Sequence, residues 1–178
     1  MPTEYEVRIL DIDVEHIKKK LQEIKATFIA GRNMRRYVYL LEKDDSVKHK
    51  WLRLRDNGEK VTLAVKEIRD DTITGTQETE VVVNDFEMTN KILISLGFKT
   101  RAYEENKRIS YILDDVEIEI DTWPKIPAYV EIEWKSAEDV QRIVELLGFK
   151  MSDTTAMNTY DVYMKYGIDI STITELKF

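Results

Sequence analysis

The 178 residues contain no cysteine. Disulfide staples, thiolate metal sites and thiol nucleophiles are therefore excluded. Proline (3) and glycine (6) are scarce, and nowhere do they gather with serine into a linker, so one domain over residues 1–178 is expected. No stretch approaches the roughly 18 uninterrupted apolar residues of a membrane helix, and no membrane partner is expected. The opening Met1-Pro2-Thr3-Glu4 lacks the basic and apolar regions of a secretory signal, which makes a cytoplasmic location the default expectation. Basic charge is also in short supply, with 27 Lys and Arg against 34 Asp and Glu and a net charge of -7. Without a basic excess or a basic stripe, a nucleic-acid partner is not expected. A Gly-rich phosphate loop, a zinc-binding helix motif and a nucleophile elbow are missing too. What remains is a globular composition, 43% hydrophobic and 34% charged, large enough for one proper core.

Alternation of period two predicts strands at Thr3–Leu10, Met34–Leu41, Lys50–Asp56, Lys60–Glu67, Thr76–Val83, Lys107–Leu113, Val116–Asp121 and Tyr129–Trp134. The links Asp56-Asn57-Gly58 and Asp114-Asp115 are too short for crossovers, so these neighbours are antiparallel. Helical spacing predicts Val14–Ile24, Asp85–Leu96 after an Asn84 cap, and Ala137–Leu147 after a Ser136 cap, with a weaker helix over Thr155–Lys165. Two helix ends read alike, Leu96-Gly97-Phe98-Lys99 and Leu147-Gly148-Phe149-Lys150, with Ala26-Thr27-Phe28 as a degenerate counterpart. They reflect either an internal repeat or shared helix-end chemistry. The tail after Asp169 carries no strong signal.

The strands are unusual for their charged faces. Glu4, Glu6 and Arg8 alternate with apolar residues; so do Arg53 and Arg55, Glu78 and Glu80, Glu117, Glu119 and Asp121, and Glu131 and Glu133. Lys66 and the pair Lys107-Arg108 add further bases. An antiparallel sheet often turns one charged face to water, and cross-strand ladders would then account for the pattern. Against that reading, acids cluster with acids. Converging carboxylates suit a hard divalent cation such as Mg²⁺ or Mn²⁺, while arginine forks suit phosphate oxygens. Together they describe a site for a metal-bound polyphosphate.

Glu4-Tyr5-Glu6-Val7-Arg8 resembles the E-x-E-x-K signature of the CYTH family, the triphosphate tunnel metalloenzymes. The later order is similar as well: Leu52-Arg53-Leu54-Arg55, then Val65-Lys66, Glu78-Thr79-Glu80, Lys107-Arg108, Asp121 and Glu131-Ile132-Glu133, over about residues 3–165. The stretch from Ile120-Asp121-Thr122-Trp123-Pro124 to Glu131-Ile132-Glu133 looks most like proteins described as class IV adenylyl cyclase-like. The resemblance implies an α+β fold built on an eight-stranded antiparallel β-barrel, a tunnel with flanking helices. It implies that Glu4, Glu6, Glu131 and Glu133 hold Mg²⁺ or Mn²⁺, with Glu80 and Asp121 serving a second cation or orienting water. It further implies that Arg8, Arg53, Arg55, Lys66 and Arg108 grip a triphosphate, with Lys107 as an additional base. Arg8 replaces the usual lysine; a guanidinium keeps its proton, so a general-base role there is lost while phosphate binding survives.

The resemblance leaves three functions open. Water as nucleophile makes a triphosphatase of tripolyphosphate, thiamine triphosphate or a nucleoside triphosphate, and this is the leading expectation. A ribose hydroxyl as nucleophile makes a class IV adenylyl cyclase releasing cyclic AMP and pyrophosphate. Binding without turnover makes a polyphosphate-sequestering module. The partner in each case is a small-molecule triphosphate or nucleotide, and an exposed strand or helix face could support a homodimer. His16, His49, Trp51, Trp123, Trp134 and Lys18-Lys19-Lys20 are expected to be surface or packing residues rather than parts of the site.

Overall fold

The structure is a computed structural model, and it describes residues 5–41, 49–68 and 76–178. The chain is α+β. Eight antiparallel strands form one hydrogen-bonded path, β1 (Tyr5–Ile9), β8 (Tyr129–Trp134), β7 (Val116–Thr122), β6 (Thr100–Leu113), β2 (Thr27–Leu40), β3 (His49–Asp56), β4 (Val61–Ile68) and β5 (Thr76–Val83). Four helices accompany them: α1 (Val14–Glu23), α2 (Phe86–Ser95), α3 (Ala137–Leu146) and α4 (Thr159–Lys165). A short strand β9 (Glu175–Leu176) adds to β6 in parallel, in the tail for which the sequence carries no signal.

Two of the expected strands prove much longer than their alternation suggested. β2 begins at Thr27 rather than Met34, and β6 at Thr100 rather than Lys107. Their added halves carry polar residues on both faces, so period two does not betray them. At α2 the cap is Asp85, whose carboxylate accepts from the Met88 amide at 2.7 Å, rather than Asn84. Asn158 caps α4 and delays its start to Thr159, because its side chain accepts from the Asp161 amide.

All four helices end with the same pair of backbone bonds. After α3, Gly148 N–H donates to Glu145 and Phe149 N–H to Val144; Gly97 and Phe98, Lys25 and Ala26, and Gly167 and Ile168 repeat the pattern after α2, α1 and α4. The residue before the last amide is left-handed each time, at φ 91° for Gly148, 93° for Gly97 and 60° for Lys25. The echo of Leu-Gly-Phe-Lys is thus helix-end chemistry, in which a left-handed residue satisfies carbonyls the helix leaves open.

The chain forms two compact units, 1–32 with 107–170, and 33–106 with 171–178. Two of the divisions fall inside β2 and β6, and the third at 170/171. In the first unit, Ile9, Ile118, Ile120, Val130 and Ile132 pack against Ile17 and Leu21 of α1 and Val140, Ile143 and Val144 of α3. In the second, Tyr39, Leu52 and Leu54 pack against Phe86 and Leu93 of α2. In each unit the helices take the apolar face of the strands, which leaves the charged face on the other side.

Candidate functional site

In the first unit the register aligns charged side chains in rows. Glu6 lies opposite Glu133, and Glu133 opposite Glu117; Arg8 lies opposite Glu131, Glu131 opposite Glu119, and Glu119 opposite Ser110. Arg108 lies opposite Asp121. These are not residues of an ordinary wet face: Arg8, Asp121 and Glu131 are 9%, 1% and 7% exposed.

Two arginines organise this face. Arg108 binds Asp121 with two parallel bonds, Nε to Oδ1 at 2.8 Å and an amine nitrogen to Oδ2 at 2.5 Å, and it reaches Glu131 Oε1 at 3.1 Å and also Glu119. Arg8 binds Glu131 Oε2 at 2.7 Å, contacts Glu6, and donates to the Met157 carbonyl. Glu131 is therefore clamped at both oxygens. Burial would raise its pKa, but Arg108 and then Arg8 outweigh that and hold it below the ordinary carboxylate range. Burial likewise works to lower the Arg8 pKa, and the carboxylates of Glu131 and Glu6 hold it above normal instead. Tyr129 shares this face, 5.9 Å from the Arg8 guanidinium, and its hydroxyl is pushed up by burial and by Asp121.

The second unit carries the complementary charge. In register, Arg36 lies opposite Arg55, Arg53 opposite Ala64, and Lys66 opposite Glu78. Arg53 is 7% exposed; it donates to Glu78 at 2.7 Å and lies 3.6 Å from Glu80. Lys66 shares Glu78 at 2.9 Å, and Arg55 shares Glu80 at 3.6 Å. Arg36 donates to the buried Glu104 at 2.8 Å, and Arg101 binds the other Glu104 oxygen at 2.6 Å. Burial, and then the neighbouring Arg55 charge, brings the Arg53 pKa down to about 10. Its Nε is shielded from solvent and donates to nothing, and the buried Thr62 hydroxyl near Arg55 has no partner either. The guanidinium is under-compensated.

The expected residues divide accordingly. Glu6, Arg8, Arg108, Asp121, Glu131 and Glu133 share the face of the first unit, and Arg53, Arg55, Lys66 and Glu80 that of the second. Glu80 contacts Arg53 and Arg55, and it shares Arg53 with Glu78. Lys107 is exposed and alternates away from Arg108. Glu4 lies outside the described residues. Sequence reasoning missed Glu78 as the shared partner of Arg53 and Lys66, although its alternation with Glu80 was visible. It also passed over Glu119 and Arg36 as site residues, although both lie in strands the alternation predicts, and Glu104, which sits in the unpatterned part of β6. His16 and Lys19 are exposed on α1, Trp123 is buried, and the side chain of His49 lies outside the described residues.

A metal would find oxygen donors here, and six carboxylates on this face (Glu6, Glu117, Glu119, Asp121, Glu131 and Glu133) against Arg8 and Arg108 leave negative charge in excess. That donor set fits a hard divalent cation. Among the described residues no three carboxylates are gathered at ligand spacing, and Arg8 and Arg108 hold Glu131 between them.

The family model of the CYTH domain matches residues 2–163. The chain belongs to the CYTH domain family. None of the curated proteins matches it. Among solved structures, it is similar to a conserved hypothetical protein of Pyrococcus furiosus, at 25% identity and TM-score 0.72 over 89% of this chain and 99% of that one. A candidate adenylate cyclase of Vibrio parahaemolyticus has the same fold at 11% identity and TM-score 0.73, covering 91% of this chain and 98% of that one. So does a candidate adenylyl cyclase of Hippeastrum with a dominant triphosphatase activity, at 13% identity and TM-score 0.60, covering 92% and 95%. CYTH triphosphate tunnel metalloenzymes depend in general on a divalent cation.

Proposed function

We propose that this CYTH protein is a divalent-metal-dependent triphosphatase, binding a metal-bound triphosphate and cleaving one of its P–O bonds with water. The observation that carries the reading is Arg53. It is buried, its Nε lacks an acceptor, its pKa is drawn down to about 10, and three further bases, Arg36, Arg55 and Lys66, share its face. Such a cluster favours a polyanion, which supplies the acceptors the protein withholds.

In this reading Arg53, Arg55 and Lys66 of the second unit are phosphate-binding bases, and so are Arg8 and Arg108 of the first. Glu6, Glu131 and Glu133 hold Mg²⁺ or Mn²⁺, with Glu4 and Asp121 as further carboxylates of the same unit. The bound cation supplies charge neutralisation at the phosphoryl oxygens. The fixed guanidinium groups steady the charge that develops as the bond breaks, and they do so without reorganising. Arg8 cannot serve as a base. Deprotonation of water is left to a carboxylate or to the leaving phosphate.

The deciding experiment is a panel of tripolyphosphate, thiamine triphosphate and nucleoside triphosphates with Mg²⁺ and Mn²⁺, followed by product identification. Orthophosphate release supports the reading. Cyclic AMP with pyrophosphate would replace it by a cyclase, and tight metal-dependent binding without turnover would replace it by a binding module. Glu6→Ala and Glu133→Ala should each abolish turnover; full activity in both would remove the metal assignment.

A further inference from the structure

On the first unit's charged face, cation positions are already filled from within. Glu131 spends one oxygen on Arg8 at 2.7 Å and the other on Arg108 at 3.1 Å. Glu6 contacts Arg8, while Glu119 and Asp121 contact Arg108. Arg108 has a natural seat in the two-point grip on Asp121. Arg8 has no such seat. Its guanidinium is spread over Glu6, Glu131 and the Met157 carbonyl, and its Nε donates to nothing.

The Met157 contact has a structural cause. The outer edge of β1 is occupied by the segment after α3, where Arg8 and Thr155 exchange two backbone bonds of 2.8 and 2.9 Å. That bridge brings the Met157 carbonyl over the Arg8 side chain as an acceptor independent of the carboxylates. The guanidinium thus has somewhere to remain when its acids are taken.

We propose that Arg8 is an internal stand-in for the divalent cation, holding Glu6 and Glu131 until a metal displaces it. The inference rests on the metal-dependent reading above and extends it to the order of binding. A free cation must eject a guanidinium from two carboxylates and leave it with only a carbonyl. A cation that arrives with a triphosphate brings oxygens for Arg8 as well as charge for the acids. The substrate is then the metal–triphosphate complex, and free metal binds weakly. A lysine at this position would not act in the same way, because a single ammonium lacks the fork that spans two carboxylates.

The test is calorimetric titration of Mn²⁺ alone into the wild type, Arg8→Met and Arg8→Lys, with circular dichroism as the folding control. Arg8→Met should bind Mn²⁺ at least about tenfold more tightly, since a like charge a few ångströms from the ion is worth more than that at the effective dielectric of a protein. Arg8→Lys should fall between the two, and it decides the matter if Arg8→Met does not fold. Mn²⁺ binding in the wild type with no gain in either folded variant overturns the stand-in and leaves the metal assignment intact. No Mn²⁺ binding by any of the three overturns both.

Discussion

Arg53→Met separates a binding residue from a structural one. An arginine brought from its ordinary value down to about 10 is disfavoured in its charged form by about 3 kcal/mol in the folded state. Because the folded pKa lies below the unfolded one, the cost is fully present below pH 10 and fades only as pH rises beyond it. Methionine keeps the apolar stem and removes the charge. Nothing acidic is orphaned, since Glu78 retains Lys66 at 2.9 Å and Glu80 retains Arg55 at 3.6 Å. Urea unfolding at pH 7.5 should therefore find the variant as stable as the wild type or more stable, by up to about 1.5 kcal/mol once the lost bond to Glu78 is set against the relieved burial. Calorimetry with tripolyphosphate should find affinity weakened by about tenfold or more, the worth of one charge-assisted bond. A stability loss above about 2 kcal/mol with unchanged affinity would identify Arg53 as a structural ion-pair member and refute the reasoning.

Glu131→Gln should cost about 3–5 kcal/mol in urea unfolding, because it leaves the buried Arg8 and the half-buried Arg108 without the acid between them. Glu131 is held below its ordinary range, so its contribution is present above that range and lost as pH falls through the folded value. The wild type should lose stability on acidification to below about pH 4, and Glu131→Gln should flatten that limb of the curve. Gly148→Ala meets nothing within 4 Å of the new Cβ and tests the left-handed φ of 91° alone; thermal unfolding should register a loss of about 1–2 kcal/mol. Chelation of divalent metal should stop product release from the triphosphate panel, and added Mg²⁺ or Mn²⁺ should restore it.

The course of the strands decides which parts of the site could be read early. Where a strand is apolar on one face and charged on the other, alternation places its residues correctly; Glu131 and Glu133, Arg53 and Arg55, and Asp121 all lie on the faces their period assigns. The first half of β6 is polar on both faces, and Glu104 was invisible for that reason; Arg36 lies in a predicted strand, but its pairing with Glu104 depends on that unread half. Helix ends were readable from glycine alone at Gly97 and Gly148, yet Lys25 plays the same part after α1 without announcing itself.

Local sequence therefore settled which residues share a face, because the direction of Cβ along a strand is a property of the backbone. It could not settle who holds whom. That Glu131 gives one oxygen to each of two arginines, that Arg8 reaches the Met157 carbonyl some 149 positions away, and that Arg53 is left short of acceptors depend on strand register and burial. Charge compensation inside a protein is a sum over neighbours distant in sequence, and only the tertiary structure brings them within reach of one another.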